Sequence, residues 1–135
     1  MPETNDPAVD QRVMIERVGD IEVEPRADGY AVTIRLNAAP PDADWLKLFE
    51  HPPGLPIDAP ARRATIAETS IEILVRNEEQ MNASVRYAEK AVSVANQAYN
   101  DEVLPRRARH RRIREELRGR EQVDLDSMAR AANAL

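Results

Sequence analysis

Between residues 77 and 104 the chain holds a helical period for longer than a small domain needs. Met81, Val85, Ala88, Val92, Ala95 and Tyr99 follow one another at alternating steps of four and three, so they share one helix face. Asn77 suits an N-cap, and Gln80 stands where a capping-box partner reaches back to the cap's N–H. Glu78 and Glu79 occupy the first turn, where the helix dipole favours negative charge. Pro105 lacks an N–H and disfavours helical geometry at Leu104, so the helix is expected to stop or kink there. At about 1.5 Å per residue, this run spans roughly 40 Å.

The elements before it read as a small sheet. Val13-Met14-Ile15 and Ile21-Glu22-Val23-Glu24 have strand character, broken by a turn or bulge at Gly19-Asp20. Arg26-Ala27-Asp28-Gly29 is a hairpin signal, because Asp-Gly supplies the positive φ that tight turns need. The return strand has Tyr30, Val32, Ile34 and Leu36 alternating with Ala31, Thr33 and Arg35, one face buried and one wet. Asp42 or Asp44 caps a short helix to about Glu50, with Trp45, Leu48 and Phe49 forming one apolar patch that anchors the core. A proline-dense connection over residues 51–60 follows, stiff and unable to pair in a sheet. Residues 65–75 read as one long strand, with Ala67, Thr69, Ile71, Ile73 and Val75 on one face and Ile66 and Leu74 on the other.

The expected fold is therefore α+β: a small antiparallel sheet in ββαβα order, packed by a short helix and one long C-terminal helix, with a basic helical tail. Residues 1–10 are expected to be disordered, 11–104 to form the domain, and 105–135 to be a basic, partly helical extension. Gly119 is expected to loosen that extension, with a new cap at Asp126 or Ser127 before a short amphipathic stretch. The core should be thin. Val, Ile, Leu and Phe together number 29 of 135 residues, and alanine, which buries little surface, supplies much of the rest. Such chains often gain stability by burying more surface in an oligomer.

Charge is unevenly placed. Residues 1–105 carry 10 basic and 19 acidic side chains, whereas 106–135 carry 9 basic and 5 acidic. The basic excess is concentrated in Arg106, Arg107, Arg109, Arg111, Arg112 and Arg114, a run without an acid. Such a run can dock on an acidic protein surface or neutralise nucleic-acid phosphates. Against nucleic acid stand the absence of interleaved aromatics for base stacking, the absence of a recognisable DNA-binding motif, and an acidic body.

Catalytic and cofactor chemistry finds little footing. With no cysteine, disulfides and thiolate zinc sites are excluded. Asp42, Asp44, Glu50 and His51 are of metal-ligand type, but their spacing fits no zinc or EF-hand pattern and they read as caps and solvated surface. The four glycines are isolated, so there is no phosphate loop, and no nucleophile elbow or HExxH occurs. Asp101-Glu102 and Glu115-Glu116 sit beside arginines at helical ion-pair spacing. A ligand site around Trp45, Phe49 and His51 is the remaining enzymatic reading. No catalytic, cofactor or metal residue is assigned. The N-terminus lacks a signal-peptide core and no apolar run reaches membrane-span length, which gives the expectation of a cytoplasmic protein without membrane contact.

Taken together, these features describe a non-catalytic protein–protein interaction module, an adaptor that self-associates as a dimer and binds a partner through its C-terminal region. Ala88, Val92, Ala95 and Tyr99 are the expected self-association stripe, small enough in part for another helix to approach; the alternative is that this face packs on the chain's own sheet, and both are expected in part. The six arginines of 106–114 are the expected partner-binding residues. The alternative is a nucleic-acid-binding accessory protein that uses the same basic segment.

Overall fold

The structure is a computed structural model that describes residues 12–56 and 64–135. The N-terminal segment and the last part of the proline-dense connection lie outside the described residues. The fold is α+β, as the sequence pattern implies. Its elements are β1 (Glu22–Arg26), β2 (Gly29–Arg35), α1 (Ala43–Glu50), β3 (Thr65–Ala67), β4 (Ser70–Val75), α2 (Glu78–Ala98), a π-helical turn (Tyr99–Val103) and α3 (Leu104–Asn133). The strands form one antiparallel sheet in the order β1-β2-β4-β3.

The expected hairpin is present, with Arg26 opposite Gly29 and Val23 opposite Val32. Gly29 has φ +144°, and a Cβ there would run into the carbonyl of Val75 on the neighbouring strand. Glycine is thus required twice, by conformation and by the close approach of β4.

Residues 65–75 differ from expectation. They are two strands turning at Glu68-Thr69, not one long strand, and Glu68 adopts φ 52°. The turn puts Ile66 opposite Ile71, which moves Ile66 onto the core face, while Leu74 remains on the outer face and half exposed. A two-residue turn reverses the alternation that a single strand would impose, which is why both isoleucines can reach the same side. The turn is anchored from β2's end, where Leu36 N–H donates to Thr69 O at 2.7 Å.

The core lies between the inner sheet face and the helices. Val32, Ile34, Ile71, Ile73 and Val75 meet Ala88, Ala91, Val92 and Ala95 of α2, and Trp45 and Phe49 of α1. Trp45 is fully buried and stacked on Phe49, with centroids 5.7 Å apart. The outer face carries exposed ion pairs, Arg35–Glu22 and Arg26–Glu24, of a kind that contributes little to stability.

Asn77 caps α2, accepting from Gln80 N–H at 2.8 Å. The reciprocal bond reaches one residue further than expected: Gln80 Oε1 accepts from Arg76 N–H at 2.7 Å. The helix does not stop at Leu104. Leu104 N–H bonds to Tyr99 O, a five-residue step, and the helical path runs on through Pro105 and Gly119 to Asn133. A wide π turn relieves the clash between a proline ring and the carbonyl four residues back, and Pro105 falls in the first turn of α3, where a proline is tolerated.

Residues 13–15 are not a strand. Their backbone is held by two asparagines of the long helix: Asn100 accepts from Val13 N–H at 2.7 Å and donates to Val13 O at 2.9 Å, and Asn96 donates to Ile15 O at 2.7 Å. On the other side Asn37 accepts from Glu16 N–H and donates to Met14 O. Side chains replace a sheet ladder here, and they leave Ile15 free to enter the core.

Gly29→Ala is expected to cost about 2 kcal/mol or more of unfolding free energy, since both the φ and the space are lost. Urea denaturation of the variant beside the parent checks this.

Candidate partner interface

Asp42 ties the first part of the chain to the last. It is the N-cap of α1, and its Oδ1 accepts from the N–H groups of Asp44 and Trp45. Its Oδ2 accepts from the Tyr99 hydroxyl at 2.7 Å and from Arg107 Nη1 at 2.9 Å. Arg107 also donates to Tyr99 Oη at 2.8 Å and, through Nη2, to Asp44 Oδ2 at 2.6 Å. Its guanidinium lies 5.4 Å from the Tyr99 ring centroid. A helix N-terminus, a π turn and the start of α3 therefore share one charge-assisted cluster.

The titration of these groups follows from that geometry. Burial alone would raise the Asp42 carboxyl, but hydrogen bonds from Tyr99, Arg107 and the Trp45 N–H outweigh it and hold the group below its usual range. Burial, then the hydrogen bond to the Asp42 carboxylate, push the Tyr99 hydroxyl up to about 12. Arg107 is raised by its bonds to Asp42 and Asp44. At neutral pH the cluster is carboxylate, phenol and guanidinium.

The six arginines fall into different settings. Arg107 is consumed by the cluster. Arg111 is half-buried and engaged within the chain. Arg106, Arg109, Arg112 and Arg114 are exposed. Arg106, Arg107, Arg111 and Arg114, with His110, Ile113 and Asp44, line an open concavity of about 620 Å³ between α3 and the start of α1. This is a basic groove with one apolar seat, Ile113.

Of the two expectations for the small-residue stripe, its burial matches packing on the chain's own body. Ala88, Val92, Ala95 and Tyr99 are at most 4% exposed and pack in this chain's own core. Small residues that would let another helix approach here let the sheet and α1 approach instead. The exposed helical surface lies further on. Every residue from Arg112 to Leu135 is exposed, and among them are Ile113, Leu117, Val123, Leu125, Met128 and Leu135. α3 is an arm projecting from the body.

Trp45 and Phe49 are buried in the core, apart from the exposed His51. The Trp45 indole N–H donates to Asn96 Oδ1 at 3.1 Å, and His51 is exposed at the end of α1. Beside Phe49 there is a cavity of about 10 Å³, also lined by Ser84, whose buried hydroxyl has no hydrogen-bond partner among the described residues. A larger concavity, about 370 Å³, lies between residues 14–17 and α2, floored by Ile34, Leu36 and Ile71 and rimmed by the Arg17–Glu89 ion pair. Among the described residues no group of three or more His, Asp or Glu is placed to hold a metal ion, and no helix is long and apolar enough to cross a membrane. No family model, curated protein or solved structure matches the chain.

What sequence reading missed was the asparagine pair and the Asp42–Tyr99–Arg107 cluster. Asn96 and Asn100 stand four apart on the apolar face of a helix, a position where a polar side chain signals a buried hydrogen bond. The cluster joins residues 65 apart in sequence and has no such local sign.

Two outcomes follow. Arg107→Met is expected to cost about 1–2 kcal/mol of stability, whereas exposed Arg112→Met should stay within about 0.5 kcal/mol; thermal and urea unfolding separate them. Because the folded Asp42 carboxyl lies below its ordinary 3.8, its contribution is present above about pH 4 and lost as the pH falls through the folded value. The stability difference between parent and Asp42→Asn should therefore be largest near neutrality and shrink toward pH 3.

Proposed function

We propose that this protein is a non-catalytic protein–protein interaction module whose α+β body mounts a helical arm, α3, that docks on another polypeptide. The observation that carries the reading is the exposure of the whole arm beyond Arg112 together with its large apolar side chains. A lone helix in water draws most of its stability from tertiary packing, and among the described residues this one is exposed throughout beyond Arg112. The arm is rigidly aimed, since the π turn makes it continuous with α2 and Arg107 locks its first turns to α1. A fixed direction lowers the cost of ordering on binding.

Self-association and a partner at the basic segment both belong to this reading, with the contact surface moved from α2 to α3. Nucleic acid remains the second reading, supported by the exposed Arg106, Arg109, Arg112 and Arg114. Against it stand the net charge of −5 and the acids that interrupt the arm from Glu115 onward.

A photo-crosslinking amino acid placed at Ile113 or Leu125 in cells is expected to give protein adducts of discrete mass, and one placed at Thr33 on the outer sheet face should give none. Nuclease-sensitive adducts from the arm would replace this reading with the second. The absence of any arm adduct would remove the docking function.

A further inference from the structure

We infer that the arm's partner is a second copy of this chain, and that the two α3 helices lie antiparallel with each acidic middle seated along the other's basic groove. This rests on the reading of α3 as a docking arm and names its occupant.

The ground is charge complementarity within a single exposed helix. Residues 106–114 contain six arginines and no acid, while 115–126 contain Glu115, Glu116, Glu121, Asp124 and Asp126 against Arg118 and Arg120. Side by side and parallel, two such helices would set arginine on arginine and carboxylate on carboxylate. Turned end for end, they set the basic segment of each on the acidic segment of the other, and one two-fold axis near Leu117 satisfies both contacts at once.

The register is specific. With Leu117 level with Arg118 of the other copy, Arg114 faces Glu121 and His110 comes within one residue of Asp124, each pair occurring twice; at the helical period these four residues share one face of α3 with Leu117. None of these pairs is like-charged. Ile113, the apolar seat of the groove, lies on the same face, and the two Leu117 side chains meet near the axis. Ile113 and Leu117 are half exposed in the single chain, so the pairing covers apolar surface that the body leaves open. A nucleic acid would match only the first third of the arm and be repelled by the next. A foreign acidic helix would match the groove but leave this chain's own acidic segment unpaired.

Sedimentation over a wide concentration range tests this. The expected species is a dimer of twice the 15.2 kDa chain mass. It should dissociate at least about tenfold more readily in 500 than in 50 mM NaCl, where screening shortens from roughly 14 to 4 Å. Arg114→Glu should leave a folded monomer by circular dichroism, and so should Glu121→Arg. An equimolar mixture of the two variants should dimerise again, because both contacts are then of opposite sign. In this cysteine-free chain, Leu117→Cys should form an oxidised dimer and Arg109→Cys should not. A monomer at every concentration, a dimer indifferent to the charge reversals, failure of the mixture to recover, or cross-linking at both positions as in a parallel pair would each overturn the inference. A monomer that still yields arm adducts with other proteins would leave the docking function standing and only this occupant rejected.

Discussion

Both carboxylate oxygens of Asp42 are in use, and the shape of the molecule depends on that. One oxygen caps α1 and so sets the helix on which Trp45 and Phe49 enter the core. The other receives Tyr99 and Arg107, which join α1 to the π turn and to the first turns of α3. A half-buried carboxylate would be costly without partners, and here four donors meet it. Removing the charge would loosen the cap, the tyrosine and the arm together, because the bonds share atoms and are not independent.

The long helix works as a spine with two ends of different character. From Ser84 to Leu104 its inner face is packed by sheet, by α1 and by residues 13–15. Beyond Arg112 every residue of it is exposed. The π turn lies between these regimes, and Tyr99, Asn100, Val103 and Leu104 are all buried around it. A widened turn at this point lets an extra residue face the body and passes Pro105 without ending the helix. The arm thereby inherits its direction from the core, which is the property a docking element needs.

Much of the body was legible because local chemistry there is specific. Asp28-Gly29 marks a hairpin by its φ requirement, Asn77 marks a helix start by its acceptor, and the spacing from Met81 to Tyr99 marks a buried face. The turn at Glu68-Thr69 was not legible, since neither residue is among those that favour tight turns and Glu68 must enter the left-handed region. The Ala88–Ala95 stripe was legible as a packing face but not as to what packs on it: small residues admit a sheet as readily as a second helix. The side chains of Asn96 and Asn100 were read past because a helical period counts apolar positions, whereas their role is to close a backbone that no strand pairs.

The sequence by itself determined the α+β class, the hairpin, the Asn77 cap and the uneven charge, and narrowed the cap of the short helix to Asp42 or Asp44, all of which rest on neighbours within a few residues. Tertiary structure alone decided which arginine is structural and which are exposed, that the small-residue stripe faces inward, and that the helix continues past Pro105. Those outcomes depend on groups far apart in the chain. Arg107 differs from Arg106 and Arg109 only because Asp42 and Asp44 stand against it, and no local pattern carries that information.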